Sequence, residues 1–169
     1  MPVEIADVHE LLDVLDGVGL AVTLCGGWGV DALIGEQTRP HNDVDIWVAM
    51  EDDSALRAAL ARLGFTQFRV DNPSNHVLAD ESGRQVDVHL IRVEDDGSAL
   101  YEVVGDDPYV LPREVFTTGV VGGRTVRCIS ADQQMLDHAS GYVPGETDLT
   151  DMRLLHERIG TAYLPPFGQ

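Results

Sequence analysis

Two segments of the chain alternate apolar and polar residues as β-strands do, and both carry acids within the alternation. They are DVDIWVA, residues 43–49, and RQVDVHLI, residues 84–91. Because successive side chains leave opposite faces of a strand, Asp43 and Asp45 share one face of the first segment, and Asp87 and His89 share one face of the second. Burying a mid-strand acid is costly unless it is paired or binds a metal. The pattern therefore predicts two strands of one sheet that carry acids to a functional site.

The three aspartates suit a divalent cation. Two carboxylates at positions i and i+2 of a strand repel one another unless a positive charge lies between them. Mg²⁺ binds carboxylate oxygens and leaves positions open for phosphate, and a third acid would complete a site for two ions. We therefore predict that Asp43, Asp45 and Asp87 bind metal. A solvated strand edge is the alternative for an isolated Asp-x-Asp pair, and the second acid-bearing strand makes it less favourable.

A pair of glycines precedes the first of these strands. Gly26 and Gly27 follow the strand-forming residues 20–25 and precede a short predicted helix, residues 28–34, which ends near Gly35. Glycines at this place let the backbone approach a phosphate, and a helix N-terminus favours the anion. A plain tight turn explains most such pairs. The spacing to the aspartates favours the phosphate site.

The rest of the pattern predicts an α+β fold with a mixed sheet and a small C-terminal helical lobe. The division expected is a core over residues 1–130 and a lobe over 131–169, packed as a single unit. Ser130 is the predicted N-cap of the first lobe helix. The other predicted elements are helices at 4–16, 52–63, 131–140 and 148–159, strands near 65–70 and 76–80, an exposed loop within the acidic segment 94–107, and a hairpin that turns at Gly122 and Gly123.

Charge narrows the range of partners. The chain has 29 acidic and 11 basic side chains, a formal net charge of −18, and every basic residue is arginine. A Walker A loop is excluded because it requires lysine. The negative charge argues against nucleic acid, which needs clustered cations, and favours a cationic small molecule. Solubility in the host is the alternative explanation of this charge.

Location and redox state follow from weaker signals. No run of about 18 apolar residues is present, so no membrane span is expected. The first residues carry acids and lack a basic leader and an apolar signal core, which predicts a cytoplasmic protein. Cys25 and Cys128 lie in predicted strands and are expected to be buried thiols; a disulfide or a metal pair is the alternative.

The motifs resemble those of a known family. GGWGVDALIGEQTRPHNDVDI, residues 26–46, is similar to the opening motif of the small antibiotic nucleotidyltransferases, those of lincosamides and aminoglycosides, in the DNA polymerase β-type superfamily. VRCIS and HASGYVPGETDLTDM resemble the C-terminal segment of the same branch, and the resemblance covers roughly residues 20–160. It implies transfer of a nucleoside monophosphate from an NTP, expected to be ATP, to a hydroxyl of a small acceptor, with release of pyrophosphate.

The resemblance also implies roles for single residues. Asp43 and Asp45 would bind two Mg²⁺ ions that hold the triphosphate. Asp87 would complete the second metal site or act as general base on the acceptor hydroxyl. Gly26 and Gly27 would contact the triphosphate through the backbone. The chain departs from the wider superfamily at Gly27, where a serine is usual, and it has no lysine to clamp phosphate.

Other polar residues near these motifs have two readings each. Arg39 is expected to reach a phosphate, with a structural ion pair as the alternative. Asp31 would meet a cationic acceptor or pair with Arg39. His89 and Tyr142 are predicted to line the acceptor pocket, although His89 also fits a satisfied strand histidine. His41 would orient the metal loop or cap the strand. In the lobe, structural hydrogen bonding is expected for His138 and Asp151.

Three functions remain open from the sequence. The first is nucleotidyl transfer to a small, cationic antibiotic. The second is a nucleotidyltransferase that modifies a protein, as an antitoxin-like module does. The third is a hydrolytic dinuclear metal centre built from Asp43, Asp45, Asp87 and His89. A homodimer with a shared cleft is expected for the first, because a chain of this size has limited surface to enclose both a nucleotide and an acceptor.

Overall fold

The computed structural model describes residues 2–102, 107–140 and 142–168. Five α-helices and nine strands lie within these ranges. The helices are α1 (Ile5–Gly17), α2 (Gly26–Ile34), α3 (Asp53–Ala61), α4 (Ala131–Ala139) and α5 (Glu146–Ile159). The strands are β1 (Thr23–Leu24), β2 (Asp43–Ala49), β3 (Thr66–Asn72), β4 (Asn75–Ala79), β5 (Gln85–Val93), β6 (Ala99–Tyr101), β7 (Tyr109–Leu111), β8 (Phe116–Val121) and β9 (Arg124–Ile129). Among the described helices, none is both long and apolar enough to cross a membrane.

The strands form one mixed sheet in the order β3-β4-β5-β2-β1-β9-β8, and β6 joins β5 to β7 at one end. The pairs β2–β5 and β1–β9 are parallel, and the other pairs are antiparallel. The acid-bearing strands β2 and β5 are therefore neighbours near the middle of the sheet. This arrangement confirms the predicted α+β class with a mixed sheet.

One face of the sheet is covered by α1 and α3. The stripe Val8, Leu11, Leu12 and Leu15 on α1 is buried, as the helical spacing of these residues predicts. It belongs to one apolar cluster with Leu56 and Leu60 of α3 and with the alternate β2 residues Val44, Ile46 and Val48. The intervening residues of β2, including both aspartates, consequently emerge on the opposite face.

The C-terminal helices pack against α2. Val30 of α2 shares a buried cluster with Met135 of α4, Met152 and Leu155 of α5, and Phe167. This cluster brings α4 and α5 next to the glycine pair that begins α2. The division into a core over 1–130 and a lobe over 131–169 stays a prediction.

Several boundaries differ from the prediction. The strand expected at 20–25 is reduced to Thr23–Leu24. It ends there because the backbone turns helical at Gly26, where the N–H of Gly29 donates to the carbonyl of Cys25 (2.9 Å). The predicted exposed loop within 94–107 is present at residues 94–97, and Ala99–Tyr101 of the same segment pair with β5 as β6. The acids that suggested the loop flank this strand, and the buried Ala99 anchors it. Residues 103–106 of the predicted loop lie outside the described residues.

The predicted helix N-cap and the predicted hairpin turn are both present. The Ser130 hydroxyl accepts from the N–H of Gln133 (3.3 Å), as predicted for an N-cap. The hairpin of β8 and β9 turns at Gly122 and Gly123, whose φ angles of 54° and 83° favour glycine. Cys25 and Cys128 are buried free thiols, as expected.

Candidate active site

The register of two parallel strands creates the site. Asp45 of β2 and Asp87 of β5 are direct partners across the ladder, and Trp47 and His89 are the next pair on the same face. Neighbouring strands lie about 4.8 Å apart, so the two aspartates are forced together by pairing. The sequence predicts both strands and both acids, and the structure adds that they face each other.

Asp45, Asp87 and His89 form a compact set that we call the acidic cluster. One ligand atom from each lies within 4.8 Å of the other two. The His89 Nε2 atom is 3.9 Å from Asp45 Oδ1 and 3.8 Å from Asp87 Oδ1. His89 was predicted for the acceptor pocket, and the structure places it beside the carboxylates as a third candidate ligand. Asp43 is not one of this set and lies exposed at its edge.

Electrostatics of the site reflect crowded negative charge. Partial desolvation, and then the charges of Asp45 and Asp87, raise the pKa of Asp43 to about 6. Burial chiefly raises the pKa of Asp87, and the charge of Asp45 adds to this effect. Burial lowers the pKa of His89, but the nearby carboxylates of Asp45 and Asp87 outweigh it, so this pKa is raised overall. The crowding favours a cation among these groups.

Asn75 supports the acidic cluster from the next strand. It begins β4 and lies opposite His89 in the antiparallel β4–β5 pair. Its Nδ2 donates to Asp87 Oδ1 (2.8 Å) and to the carbonyl of Val88 (3.1 Å), and it lies 3.2 Å from His89 Nδ1. Asn75 therefore orients two of the three members of the cluster.

The glycine pair is explained by close approach of side chains. Gly26 has a φ of 53°, and a Cβ at this position would overlap the carboxylate of Asp45. A Cβ on Gly27 would overlap Arg39 and the ring of His41. The glycines thus make room for protein side chains, which occupy the space that a Cβ would fill. Their contact with a phosphate stays a prediction.

The loop between α2 and β2 is held by two side-chain contacts, one between Asp31 and His41 and one between Arg39 and Asp151. Asp31 is buried, accepts from the N–H (3.1 Å) and hydroxyl (2.6 Å) of Thr38, and lies 2.5 Å from His41 Nε2. Asp31 is thus held by Thr38 and His41, while Arg39 pairs with Asp151 instead. A contact of Asp31 with the acceptor stays a prediction.

Arg39 forms a two-pronged ion pair with the lobe. Its Nε and Nη2 donate to the carboxylate of Asp151 on α5 at 3.0 and 2.7 Å. Asp151 is only 1% exposed, while Arg39 is 28% exposed. The contact corresponds to the structural alternative for Arg39. It fixes the loop before β2 to the C-terminal helices.

A cleft of about 730 Å³ opens above the acidic cluster, between the sheet and α4. Asp45 and His89 line one side, and Tyr101 and Tyr109 form an aromatic wall. At the rim, Tyr142 donates to Asp148 Oδ1 (2.8 Å), which also lies 2.7 Å from His138 Nδ1. Tyr142 is thus at the mouth of the cleft, as expected of an acceptor-pocket residue.

Comparison with known proteins identifies the family. A family model described as aminoglycoside-2''-adenylyltransferase matches residues 7–155. A lincosamide resistance protein of Staphylococcus haemolyticus is 33% identical over 149 residues, which are 88% of this chain and 92% of that protein.

The chain belongs to the aminoglycoside-2''-adenylyltransferase family.

Two further similarities agree with membership of the aminoglycoside-2''-adenylyltransferase family. A 2''-aminoglycoside nucleotidyltransferase of Klebsiella pneumoniae is 29% identical over 132 residues, which are 78% of this chain and 70% of that protein. The crystal structure of the lincosamide antibiotic adenylyltransferase LnuA with bound lincomycin aligns with a TM-score of 0.83 at 32% identity, over 92% of this chain and 98% of that one. This family member is therefore a nucleotidyltransferase, as the motifs predicted.

Sequence reasoning missed three polar residues of this nucleotidyltransferase site. Asn75, the first residue of β4, lies outside every motif of the sequence, and only the pairing of β4 with β5 reveals it. Gln134 and Asp137 lie on α4 and line the cleft. Their spacing of three residues places them on one face of a helix, which is the signal that could have pointed to them.

Proposed function

We propose that this nucleotidyltransferase transfers the adenylyl group of ATP to a hydroxyl of a small, cationic antibiotic and releases pyrophosphate. The observation that carries the proposal is the pairing of Asp45 with Asp87 across β2 and β5, with His89 beside them, below an open cleft. This arrangement supports phosphate chemistry better than a solvated strand edge, because it concentrates acids where the chain gives them little compensating charge.

The residues present fit a divalent cation. Two carboxylates and one imidazole converge within 4.8 Å, and Asp43, whose pKa is raised by partial desolvation and then by its acidic neighbours, would supply oxygen to a second ion. When bound, Mg²⁺ would neutralise the triphosphate and stabilise the leaving pyrophosphate. The count of two ions follows the sequence expectation.

The nucleotide triphosphate would lie at the N-terminus of α2. The first N–H groups of a helix have no partner within it, and in α2 they belong to Gly26, Gly27 and Trp28. No side chain caps them. These N–H groups and the helix dipole favour an anion next to Asp45. Arg39 lies beside Gly27 and stays a predicted phosphate contact, through the part of its guanidinium that Asp151 does not use.

Asp87 would act as the general base. Burial raises its pKa, which strengthens a carboxylate as a proton acceptor at neutral pH. It would take the proton of the acceptor hydroxyl as that oxygen bonds to the α-phosphorus of ATP. The bond between the α- and β-phosphates breaks, and pyrophosphate leaves. Asn75 would hold Asp87 in place through its 2.8 Å hydrogen bond.

The acceptor class is inferred from the relatives and from charge. The relatives are named for lincosamides and aminoglycosides, and the net charge of −18 attracts amine-bearing molecules. These findings favour a small-molecule acceptor over a protein acceptor or simple hydrolysis. A cytoplasmic location, where ATP is available, and a homodimer stay predictions.

The roles of Asp87 can be separated by one substitution. Asp87→Asn should keep ATP affinity within about threefold while slowing adenylyl transfer by roughly 10²–10⁴. Asp13→Asn, which removes an exposed carboxylate of α1, is the matched control and should transfer at the wild-type rate. Calorimetry with Mg²⁺ and ATP, together with release of pyrophosphate, measures both quantities. A collapse of ATP affinity in Asp87→Asn would assign Asp87 to metal binding instead.

A further inference from the structure

We propose that Gln134 of α4 is a positioning residue for the triphosphate, because it holds the peptide plane between Gly26 and Gly27 and so directs the Gly27 N–H toward the phosphates. The inference rests on the proposed function, in which the triphosphate lies at the N-terminus of α2. Gln134 lines the cleft on its helical side and contacts the first turn of α2. Its role is to orient the backbone that meets the nucleotide.

The amide of Gln134 makes a hydrogen bond with the start of α2. Its Nε2 donates to the carbonyl oxygen of Gly26 (3.2 Å). The amide must turn this way, because Oε1 in the same place would face another acceptor. The side chain is 0% exposed, so the surrounding atoms fix its position. A buried, immobile donor thus holds the Gly26 carbonyl.

The peptide between Gly26 and Gly27 is intrinsically free to rotate. Neither residue has a side chain, and glycine has the widest choice of backbone angles. Gly26 has a φ of 53°, which is far from helical values although α2 begins there. Cys25, at the N-cap position, gives no side-chain hydrogen bond to this turn. A hydrogen bond from another helix can therefore set the geometry of the turn.

Planarity of the peptide links its carbonyl to its N–H. In a trans peptide the C=O and N–H bonds lie in one plane and point in opposite directions. A hydrogen bond that fixes the Gly26 carbonyl consequently fixes the direction of the Gly27 N–H. The first N–H groups of a helix face its N-terminus, which in α2 lies against the carboxylate of Asp45. Under the proposed function, the metal and the triphosphate bind at this point.

A further glycine of α2 makes room for the amide. A Cβ on Gly29 would overlap Nε2 of Gln134 and crowd the carbonyl of Leu24. Gly29 has no positive φ angle, so its own backbone conformation does not require glycine. Gly26 and Gly29 are three residues apart and share one face of the helix. Close approach of Gln134 to this face explains the glycine at position 29.

Stability alone does not account for a glutamine at this position. Oε1 of Gln134 is buried and has no hydrogen-bond partner among the described residues. A buried polar atom without a partner destabilises a fold, and such atoms are rare in folded proteins. Methionine, which has a similar length, would fill the space without this cost. The amide consequently fits a role at the phosphate site better than a role in packing.

The test compares Gln134→Met with the wild type. The full chain is titrated by calorimetry, in the presence of Mg²⁺, with α,β-methylene-ATP, whose α–β bond cannot be cleaved, and with inorganic tripolyphosphate, which has no base or sugar. Both ligands should bind Gln134→Met at least about fivefold more weakly, because a hydrogen bond to a charged group is lost or misdirected. The Tm should equal or exceed that of the wild type, since the unpartnered Oε1 is removed.

Gln133→Met is the matched control. Gln133 is 5% exposed and precedes Gln134 on α4, but its Nε2 donates to Asp137 Oδ1 (2.6 Å) and not to α2. Gln133→Met should bind α,β-methylene-ATP and tripolyphosphate as the wild type does. The comparison separates loss of the contact with Gly26 from loss of any buried amide on this helix.

A measurement on the wild type keeps the proposal testable even if Gln134→Met fails to fold. Addition of tripolyphosphate with Mg²⁺ should shift the amide ¹H and ¹⁵N resonances of Gly27. In a folded Gln134→Met, the NMR order parameter of the Gly27 N–H should fall, because its peptide plane is no longer held. The order parameter of Gly17, at the end of α1, should not change.

Two results would overturn the role of Gln134. One is binding of both ligands by a folded Gln134→Met within twofold of the wild type, and a lower Tm in that case would assign the amide to packing. The other is an unmoved Gly27 resonance at high tripolyphosphate concentration in the wild type. Failure of the proposed function looks different, because the wild type would then bind nucleotide but release no pyrophosphate with ATP and an antibiotic.

Discussion

The ion pair between Arg39 and Asp151 predicts an unequal response to removal of its two partners. Arg39→Met leaves Asp151, 1% exposed, without its three hydrogen-bond contacts from the guanidinium. Removing one partner of a buried pair costs about 3–5 kcal/mol because a charge is left uncompensated. Asp151→Asn leaves Arg39, 28% exposed, free to turn toward water, and should cost about 1–2 kcal/mol.

These values can be read from unfolding. For a chain of this size, 1 kcal/mol shifts Tm by roughly 2–4 °C. We therefore expect a loss of about 6–20 °C for Arg39→Met and about 2–8 °C for Asp151→Asn. The double variant should be more stable than Arg39→Met alone, because it buries a neutral amide in place of an unpaired carboxylate.

The reasoning would be refuted if Asp151→Asn were as unstable as Arg39→Met. A different outcome would revise the role of Arg39 itself. Full stability of Arg39→Met combined with a large loss of ATP affinity would make Arg39 a phosphate ligand and its contact with Asp151 incidental. Urea unfolding and calorimetry with Mg²⁺ and ATP on the same samples distinguish the two.

Two further predictions concern Gly26 at the start of α2 and the carboxylate of Asp80. Gly26→Ala should slow adenylyl transfer at least tenfold, because its φ of 53° and the adjacent Asp45 leave no room for a methyl group; Gly17→Ala, which meets open space, should transfer normally in the same assay. Burial alone would raise the pKa of Asp80, but hydrogen bonds from Ser82 and Arg84 outweigh it and lower this pKa to about 2. Its ionised form thus stabilises the fold above pH ~4. Asp80→Asn should cost about 1–2 kcal/mol at pH 7, and urea unfolding should show the difference vanish between pH ~4 and 2.

The sequence predicts the acidic residues of the site better than it predicts the residues that surround them. Strand β2 and the acid of β5 could be predicted because alternation places Asp45 and Asp87 on one face of each strand. Their pairing depends on register between segments about forty residues apart, which local pattern does not contain. The contact of Asn75 with Asp87 likewise depends on the register between β4 and β5. Each of these facts is a property of the sheet rather than of any segment.

Asp31 and Asp137 show that position along the chain does not by itself predict whether a polar side chain lines the cleft. Asp31 lies within the family-like motif, yet the loop after α2 folds back and buries it against Thr38 and His41. Asp137 lies outside the quoted motifs that carry acids on strands, and it reaches the cleft because α4 packs against α2. Packing between distant helices decides which acid reaches the cleft.

The most direct test of the central claim is the mass of the acceptor after reaction. The protein is incubated with Mg²⁺, ATP and either tobramycin or lincomycin, and the antibiotic and the pyrophosphate are measured together. The account predicts that an antibiotic gains one adenylyl group for each pyrophosphate released, and that Asp45→Asn abolishes both. Consumption of ATP with no adduct on any antibiotic, or with the adenylyl group on a polypeptide, would contradict it.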